Sequence, residues 1–263
     1  MSIDLKGFHA VITGGSSGFG FEMAKTLLSH GAAVAIAARP SEKMNKAYAA
    51  LGGEWPGNVV KLEMDVRDND SVVAAAKIIE KEWDRLDMFV NNAGIGMRDA
   101  NKGFPGNPSP FYEIPVKAFY DIVETNFIGY FLAARAFVPL MFRNGGGRVV
   151  TVSTGIRTMT MLGQLPYGPA RAGAEAMSVI MSEELKDRGI TVNVLLPGGA
   201  SNTGFVPEEI REHFEARGLL PATILNDPIL FLASDQAAGM TGERIIGKEF
   251  NEWLAEKSIT FER

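Results

Sequence analysis

The sequence predicts an α/β fold: one domain over residues 1–263, built on a doubly wound parallel sheet of about seven strands with helices on both faces. Three observations carry the prediction. Short runs rich in Val, Ile and Ala recur along the chain, separated by amphipathic segments of helical period. The runs are apolar throughout rather than alternating, as strands covered on both faces must be. A glycine-rich turn joins the first run to the first amphipathic segment.

The elements follow in order. His9–Thr13 is the first strand, and Thr13-Gly14-Gly15-Ser16-Ser17-Gly18-Phe19-Gly20 turns the chain into a helix over Gly18–His30. Phe21, Met23, Ala24, Leu27 and Leu28 form its apolar side, and Gly31 supplies a C-terminal stop. Strands Ala33–Ala38 and Val59–Met64 flank a helix over Glu42–Leu51, and a helix over Asp70–Trp83 leads to strand Met88–Asn91. A long helix over Val116–Phe142 precedes strand Arg148–Ser153, and a helix over Tyr167–Arg188 precedes strand Thr191–Leu196. Helix Asp227–Ser234 and strand Arg244–Ile246 complete the pattern. Two connections are long: Ile95–Pro115, with Phe104, Phe111 and Tyr112, and Gly199–Asn226, with an acidic helical piece around Pro207–Arg217. Long loops at the C-terminal ends of such strands are read as the walls and lid of a substrate pocket.

Composition narrows the function. The chain has 263 residues, is 46% hydrophobic and carries a formal net charge of −5, so it can bury one sizeable core. No Lys/Arg cluster suits nucleic acid or an anionic membrane, and no apolar run is read as long enough for a membrane span. Cysteine is absent, which excludes a disulfide framework, a thiolate metal site and a cysteine nucleophile. His9, His30 and His213 lie too far apart to suggest a metal site, and each is read as a surface residue. The N-terminus lacks a signal-peptide core, so a cytoplasmic protein is expected.

Tyr167 and Arg171 stand four residues apart, one turn along a single helix face. A phenol titrates near pH ~10 and becomes a useful acid-base group only when a nearby cation stabilises its phenolate. The glycine turn lets backbone approach a pyrophosphate at a helix N-terminus, where N–H groups and the dipole favour an anion. Together with Asp65, Asn91-Asn92-Ala93-Gly94, Asn126 and Pro197-Gly198, these residues give the chain its resemblance to the short-chain dehydrogenase/reductases, from about Leu5 to Ile246.

The resemblance implies a nicotinamide dinucleotide cofactor on a Rossmann-like sheet. Gly14, Ser16, Ser17, Gly18, Phe19 and Gly20 would form the phosphate turn. NAD-binding relatives place an acid where Ala38 stands; here Arg39 follows an empty position, which favours NADP(H) and leaves NAD(H) open. Lys43 adds charge or is a plain surface lysine, and Ser17 replaces the basic residue of many NADP-dependent relatives. Asp65 matches the adenine contact, though an N-cap for the next helix explains it as well, and Val66 would line the adenine pocket. Asn92 would stabilise the sheet, and Gly94 would let backbone approach the cofactor ribose. Pro197 and Gly198 follow the sixth strand, with Asn202 or Thr203 as carboxamide contact.

Tyr167 would be the general acid or base, and Thr154, thirteen residues earlier, the substrate-orienting hydroxyl, with Ser153 the lesser candidate. Asn126, a poor helix-interior residue, would distort its helix and hold a water of the proton relay. Arg171 departs from the family's Tyr-x-x-x-Lys. It keeps the charge and the ribose contact but cannot release a proton. Arg171→Lys is therefore expected to raise turnover.

The leading expectation is an oxidoreductase moving a hydride between NADP(H) and a small or medium carbonyl or alcohol. The alternative is a catalytically impaired cofactor-binding sensor or scaffold. An epimerase or dehydratase of the extended branch conflicts with the glycine spacing. Pocket candidates are Ile95, Met97, Phe104, Ile156, Met159, Leu162, Phe205 and Phe214, which favour an apolar or aromatic carbonyl compound and leave sugar-like substrates open. A homo-oligomer, tetramer or dimer, is expected from apolar residues on several faces of the two longest helices: Phe127, Phe131, Val138, Met177, Ile180 and Met181.

Overall fold

The structure is a computed structural model that describes residues 3–98, 100–204, 212, 215 and 218–262. Seven strands form one sheet: β1 (His9–Thr13), β2 (Ala33–Ala38), β3 (Val59–Glu63), β4 (Met88–Asn91), β5 (Gly147–Val152), β6 (Ile190–Leu196) and β7 (Arg244–Ile246). Their order is β3-β2-β1-β4-β5-β6-β7, and every pairing is parallel. The order reverses direction between β1 and β4. Because all strands run the same way, the turns after β1, β2, β3, β4, β5 and β6 open on one edge of the sheet.

Helices cover both faces. On one side, α1 (Gly18–Ser29), α2 (Glu42–Glu54), α8 (Asn226–Ala233) and α9 (Phe250–Glu256) bury Met23, Leu27, Met44, Leu51, Phe231 and Phe250 against the sheet. On the other, α3 (Asn69–Glu82), α5 (Gly129–Met141) and α7 (Tyr167–Glu184) pack on Leu62, Phe89, Val149 and Val192. The strands present apolar side chains to both layers, which explains their continuous apolar reading.

The expected long helix over Val116–Phe142 is three pieces. α4 (Val116–Val123) runs through a π-helical turn over Glu124–Ile128 into α5. The helical run Val116–Asn144 contains an 18-residue window of mean hydropathy 1.3 and meets the length and composition of a membrane span, contrary to the sequence expectation. Half of its most apolar window is buried inside the protein, as a core helix requires. α2 continues past Leu51 through Gly52 and Gly53, and Arg188 lies in a 3₁₀ turn beyond α7. Two short helices escaped the sequence reading: α6 (Ile156–Thr160) and α9. In α9, Phe250 and Trp253 stack with ring centroids 6.0 Å apart and close over Phe231, so Trp253 is a packing residue.

Both described histidines keep partly exposed side chains, His9 on β1 and His30 at the end of α1. His9 is half-buried, its ring tilted over Trp83 at 4.8 Å and its Nδ1 3.7 Å from Asp87. His30 turns its Nδ1 to the Thr26 carbonyl at 2.8 Å, at the end of α1. His213 lies outside the described residues. Among the described residues no cluster of His, Asp or Glu could hold a metal ion.

Candidate active site

The turn after β1 is drawn tight against the neighbouring strands by its glycines. Gly14 has φ +67 and donates its N–H to the Ala37 carbonyl at 2.7 Å, which ties the turn to the end of β2. A Cβ on Gly20 would lie 2.5 Å from the Gly14 carbonyl oxygen, so only glycine lets α1 start this close to β1. Ser17 begins α1 in extended conformation, does not cap it through its side chain, and no acidic residue sits in the first turn. The first N–H groups of α1 keep their donor capacity for a phosphate. Asn92 braces the turn, donating Nδ2–H to the Thr13 carbonyl at 2.8 Å, while the Thr13 hydroxyl accepts the N–H groups of Asn92 and Ala93. Phe19 points instead at the core under α1. Ser16 is half-buried beside it in the turn.

Around this turn several expected residues hold other positions. Arg39 is exposed at the end of β2, and its charge reaches Asp65 and Asp121. Lys43 brings its Nζ near Gly204. Asp65 is gripped by the Arg67 fork, with Nη2 at 2.7 Å and Nε at 3.0 and 3.2 Å. The Arg67 hydrogen bonds hold this carboxyl below the usual range against the opposing effect of burial. Asp65 does not cap α3; Asp68 does, accepting the Asp70 N–H at 3.0 Å. Val66 is turned into the core, where a Cβ on Gly129 would meet its Cγ2 at 2.8 Å. Pro197 accepts the Lys248 N–H at 3.1 Å, and Gly198, at φ +92, leaves room for Ile246. Thr203 packs on the glycine turn, its Cβ 3.2 Å from where a Gly18 Cβ would stand.

The chemistry gathers where β4, β5, the π turn and α7 meet. Tyr167 and Arg171 are both buried, at 8% and 4% exposure, and the guanidinium carbon lies 5.4 Å from the Tyr167 ring centroid. Nη1 of Arg171 donates to the Val152 carbonyl at 2.9 Å and to the Tyr130 hydroxyl. Burial works against this charge, but the Tyr130 and Tyr167 phenols beside it outweigh burial and raise the guanidinium above its usual range. A cation fixed beside a phenol is the arrangement that makes the phenol an acid-base group.

Gly94 and Asn126 complete the surround. A Cβ on Gly94 would stand 2.3 Å from Nη2 of Arg171, so the missing side chain makes room for the guanidinium of this chain. The sequence reading had assigned that room to a cofactor ribose. Asn126 is fully buried in the π turn, where Oδ1 accepts the Ile95 N–H at 2.9 Å and Nδ2 donates to the Ile95 carbonyl at 2.8 Å. The wider π turn lets its side chain leave the helix and grip the strand-end loop. Thr154 is half-buried just beyond β5, its carbonyl held by Arg244 Nη2 at 2.8 Å. Ser153 is buried at 5% exposure. Three buried polar atoms on these segments lack a partner among the described residues: Ser153 Oγ, Gln164 Oε1 and Arg171 Nε. Unmet buried donors and acceptors at such a place are what a bound ligand would satisfy.

The 95–115 loop lies over this centre. Met97, Ala100, Ile122, Ala170 and Tyr167 form an apolar cluster that Ile95, Phe104, Ile114 and Phe127 join. A Cβ on Gly163 would meet Pro108 at 2.6 Å, so the loop also rests on the segment before α7. Ile156 and Leu162 are exposed at 65% and 81%, Met159 is half-buried, and Phe205, Phe214 and most of the stretch around Pro207–Arg217 fall outside the described residues. The sequence reading missed Tyr130. Its signal was its place four residues after Asn126, on the same helix face.

The family model for short chain dehydrogenases matches residues 8–213. The 3-oxoacyl-acyl-carrier-protein reductase FabG of Escherichia coli strain K12 is 32% identical over 252 residues, covering 92% of this chain and 96% of its own. The peroxisomal 2,4-dienoyl-CoA reductase of Danio rerio is 28% identical, covering 93% and 81%. Among solved structures, a short-chain alcohol dehydrogenase from Sinorhizobium meliloti 1021 superposes with a TM-score of 0.82 at 26% identity, over 96% of this chain and 99% of that one. A short-chain type dehydrogenase/reductase from Mycobacterium marinum gives 0.80 at 27% identity, over 94% and 97%.

Proposed function

The chain belongs to the short-chain dehydrogenase family and is an oxidoreductase of that family using a nicotinamide cofactor, and we propose that it is an NADP(H)-dependent enzyme that interconverts an apolar carbonyl compound and its alcohol. The observation that carries the reading is the buried contact between Arg171 and Tyr167, with the guanidinium against Gly94 just beyond β4. The turn fits a dinucleotide pyrophosphate, since the first N–H groups of α1 and the uncommitted Ser17 face it. An exposed Arg39 at the end of β2, with no carboxylate on Ala38 to compete, supports binding of a 2′-phosphate. Bound there, the cofactor supplies or receives the hydride.

The residues of the chain do the rest. Tyr167 gives its proton to the carbonyl oxygen in reduction and is left as phenolate, or as phenolate takes the proton of the alcohol in oxidation, and Arg171 stabilises that phenolate form. Thr154, or Ser153 with its unpartnered Oγ, orients the oxygen. Ile95, Met97 and Phe104 exclude water and accept an apolar chain next to the reacting carbon. The relatives named above as reductases of 3-oxoacyl and dienoyl thioesters support a substrate with an acyl tail.

The test is cofactor oxidation by the purified protein with NADPH and with NADH, across ketones, aldehydes and 3-oxoacyl thioesters. Turnover that disappears in Tyr167→Phe supports the reading. Arg39→Ala should weaken NADPH by about 1–3 kcal/mol, the range for a charge-assisted hydrogen bond, and leave NADH nearly unchanged. Tighter NADH binding in the unaltered protein refutes the cofactor assignment. A second reading rests on the engagement of Arg171 Nη1 by Tyr130 and Val152: a protein that binds NADPH but turns over no carbonyl or alcohol is a sensor or scaffold.

A further inference from the structure

Tyr130 is a phenol in a place where an apolar residue would serve the core. It is fully buried on α5, where its backbone carbonyl accepts from Asn91 Nδ2 at 2.9 Å. Its hydroxyl donates to the Val152 carbonyl at 3.1 Å and accepts from Nη1 of Arg171. Nη1 also donates to the same carbonyl at 2.9 Å. One carbonyl at the end of β5, one hydroxyl on α5 and one guanidinium nitrogen on α7 thus close a triangle. The guanidinium carbon lies 5.2 Å from the Tyr130 ring centroid and 5.4 Å from that of Tyr167, so the cation is held between two phenols.

The opposite end of the guanidinium is fixed by an absence. Nη2 lies against Gly94, and a Cβ there would overlap it at 2.3 Å. An arginine is longer than a lysine and planar, so both its reach and its plane must be set. Tyr130 and Val152 set the reach, while the two rings and Gly94 set the plane. Burial keeps the Tyr130 phenol protonated well above its ordinary range. It therefore acts at neutral pH as a fixed hydroxyl with one donor and one acceptor, not as a proton carrier.

We propose that Tyr130 is a positioning residue that acts through Arg171: it anchors the guanidinium against Tyr167, and the two residues work as a matched pair. The inference rests on the reading that Arg171 serves Tyr167 and the cofactor. A tyrosine that only filled the core would matter equally whatever stood at position 171.

The test is a double-mutant cycle of Tyr130→Phe, Arg171→Lys and the doubly substituted protein. Three quantities are read: kcat and KM for the best carbonyl substrate, the NADPH Kd by fluorescence, and Tm. Tyr130→Phe alone is expected to lower kcat at least tenfold with KM for the carbonyl held within threefold, and to weaken NADPH binding. Beside Arg171→Lys the same substitution should cost at least tenfold less in kcat and less in Kd, because the shorter lysine does not reach the hydroxyl. Equal losses in the two backgrounds would overturn the proposal. A protein without turnover that still shows coupled losses in Kd fails as an enzyme while the pairing stands. If Tyr130→Phe does not fold, the doubly substituted protein decides: recovery of a cooperative Tm supports the pairing, and failure to recover makes Tyr130 a core residue only.

Discussion

Gly94 shows how far a single missing side chain can determine chemistry. Its backbone is pressed by Arg171 Nη2 on one side, and Asn126 Oδ1 lies 3.1 Å from the position of its Cβ. Gly94→Ala is expected to displace the guanidinium and destabilise the protein by about 1–3 kcal/mol, the cost of overpacking. The measurement is urea unfolding together with NADPH binding, and an alanine variant as stable and as tight as the parent would refute the contact. Arg171→Lys is expected to lower kcat by about tenfold, or about 1.4 kcal/mol of barrier. This reverses the sequence expectation that a lysine would restore the relay and speed turnover. The reversal has a physical cause: a lysine leaves the Tyr130 hydroxyl and the Gly94 hollow, both shaped for a guanidinium, without their partner. The Tyr167–Arg171 spacing was legible because helical geometry is local. The Tyr130 contact was not, because it joins α5 to α7 through space across 41 residues.

At the scale of elements, legibility follows burial. The strands announced themselves because both faces are covered, so every residue in Val34–Ala37 is buried and apolar. Boundaries were looser wherever a local rule was overridden, as in α2, which carries Gly52 and Gly53 inside its last turn. The π turn was foreshadowed only by Asn126, a residue that helices tolerate poorly. Asn126→Ala should strip both Ile95 backbone groups of their partners, at about 1–3 kcal/mol for each group left buried and unpaired. A loss under about 0.5 kcal/mol in denaturant would show that the grip is dispensable. At the opposite edge of the sheet, Asp87 accepts the His9 N–H at 2.8 Å and the Arg85 Nε–H at 2.9 Å. Burial pushes this carboxyl up, but the His9 and Arg85 hydrogen bonds win, and it sits below the usual range. A depressed folded value means stability that is present above about pH 4 and lost as pH falls towards that value. Asp87→Asn should therefore flatten the acid limb of a Tm-versus-pH profile below about pH 5, and an unchanged limb would place its origin elsewhere.

Over the whole molecule, apolar surface is distributed unevenly. Of the residues from which self-association was expected, Val138 is buried at 7%, and Phe127 and Met181 pack against core clusters. Phe131 at 50% on α5 and Ile180 at 58% on α7 are exposed as that expectation requires, and Ile128 at 41% and Val179 at 58% lie beside them in sequence. The sequence singled out these two helices but could not separate their faces, because both pack on one side against the sheet. Side chains of this size exposed together on two long helices are a cost in water that a second copy would remove. A two-fold axis lets one patch meet itself, and a second such axis would give the tetramer. The expected outcome is a dimer or tetramer by light scattering at micromolar concentration. Phe131→Arg and Ile180→Arg should each shift the mass downward while the far-ultraviolet spectrum and NADPH binding persist, since neither side chain belongs to the sheet core. A monomeric mass for the unaltered protein would refute the assembly. An unchanged mass in both variants would instead move the contact to another face, such as the aromatic surface formed by Phe111, Tyr112 and Tyr120, exposed at 70%, 75% and 58%.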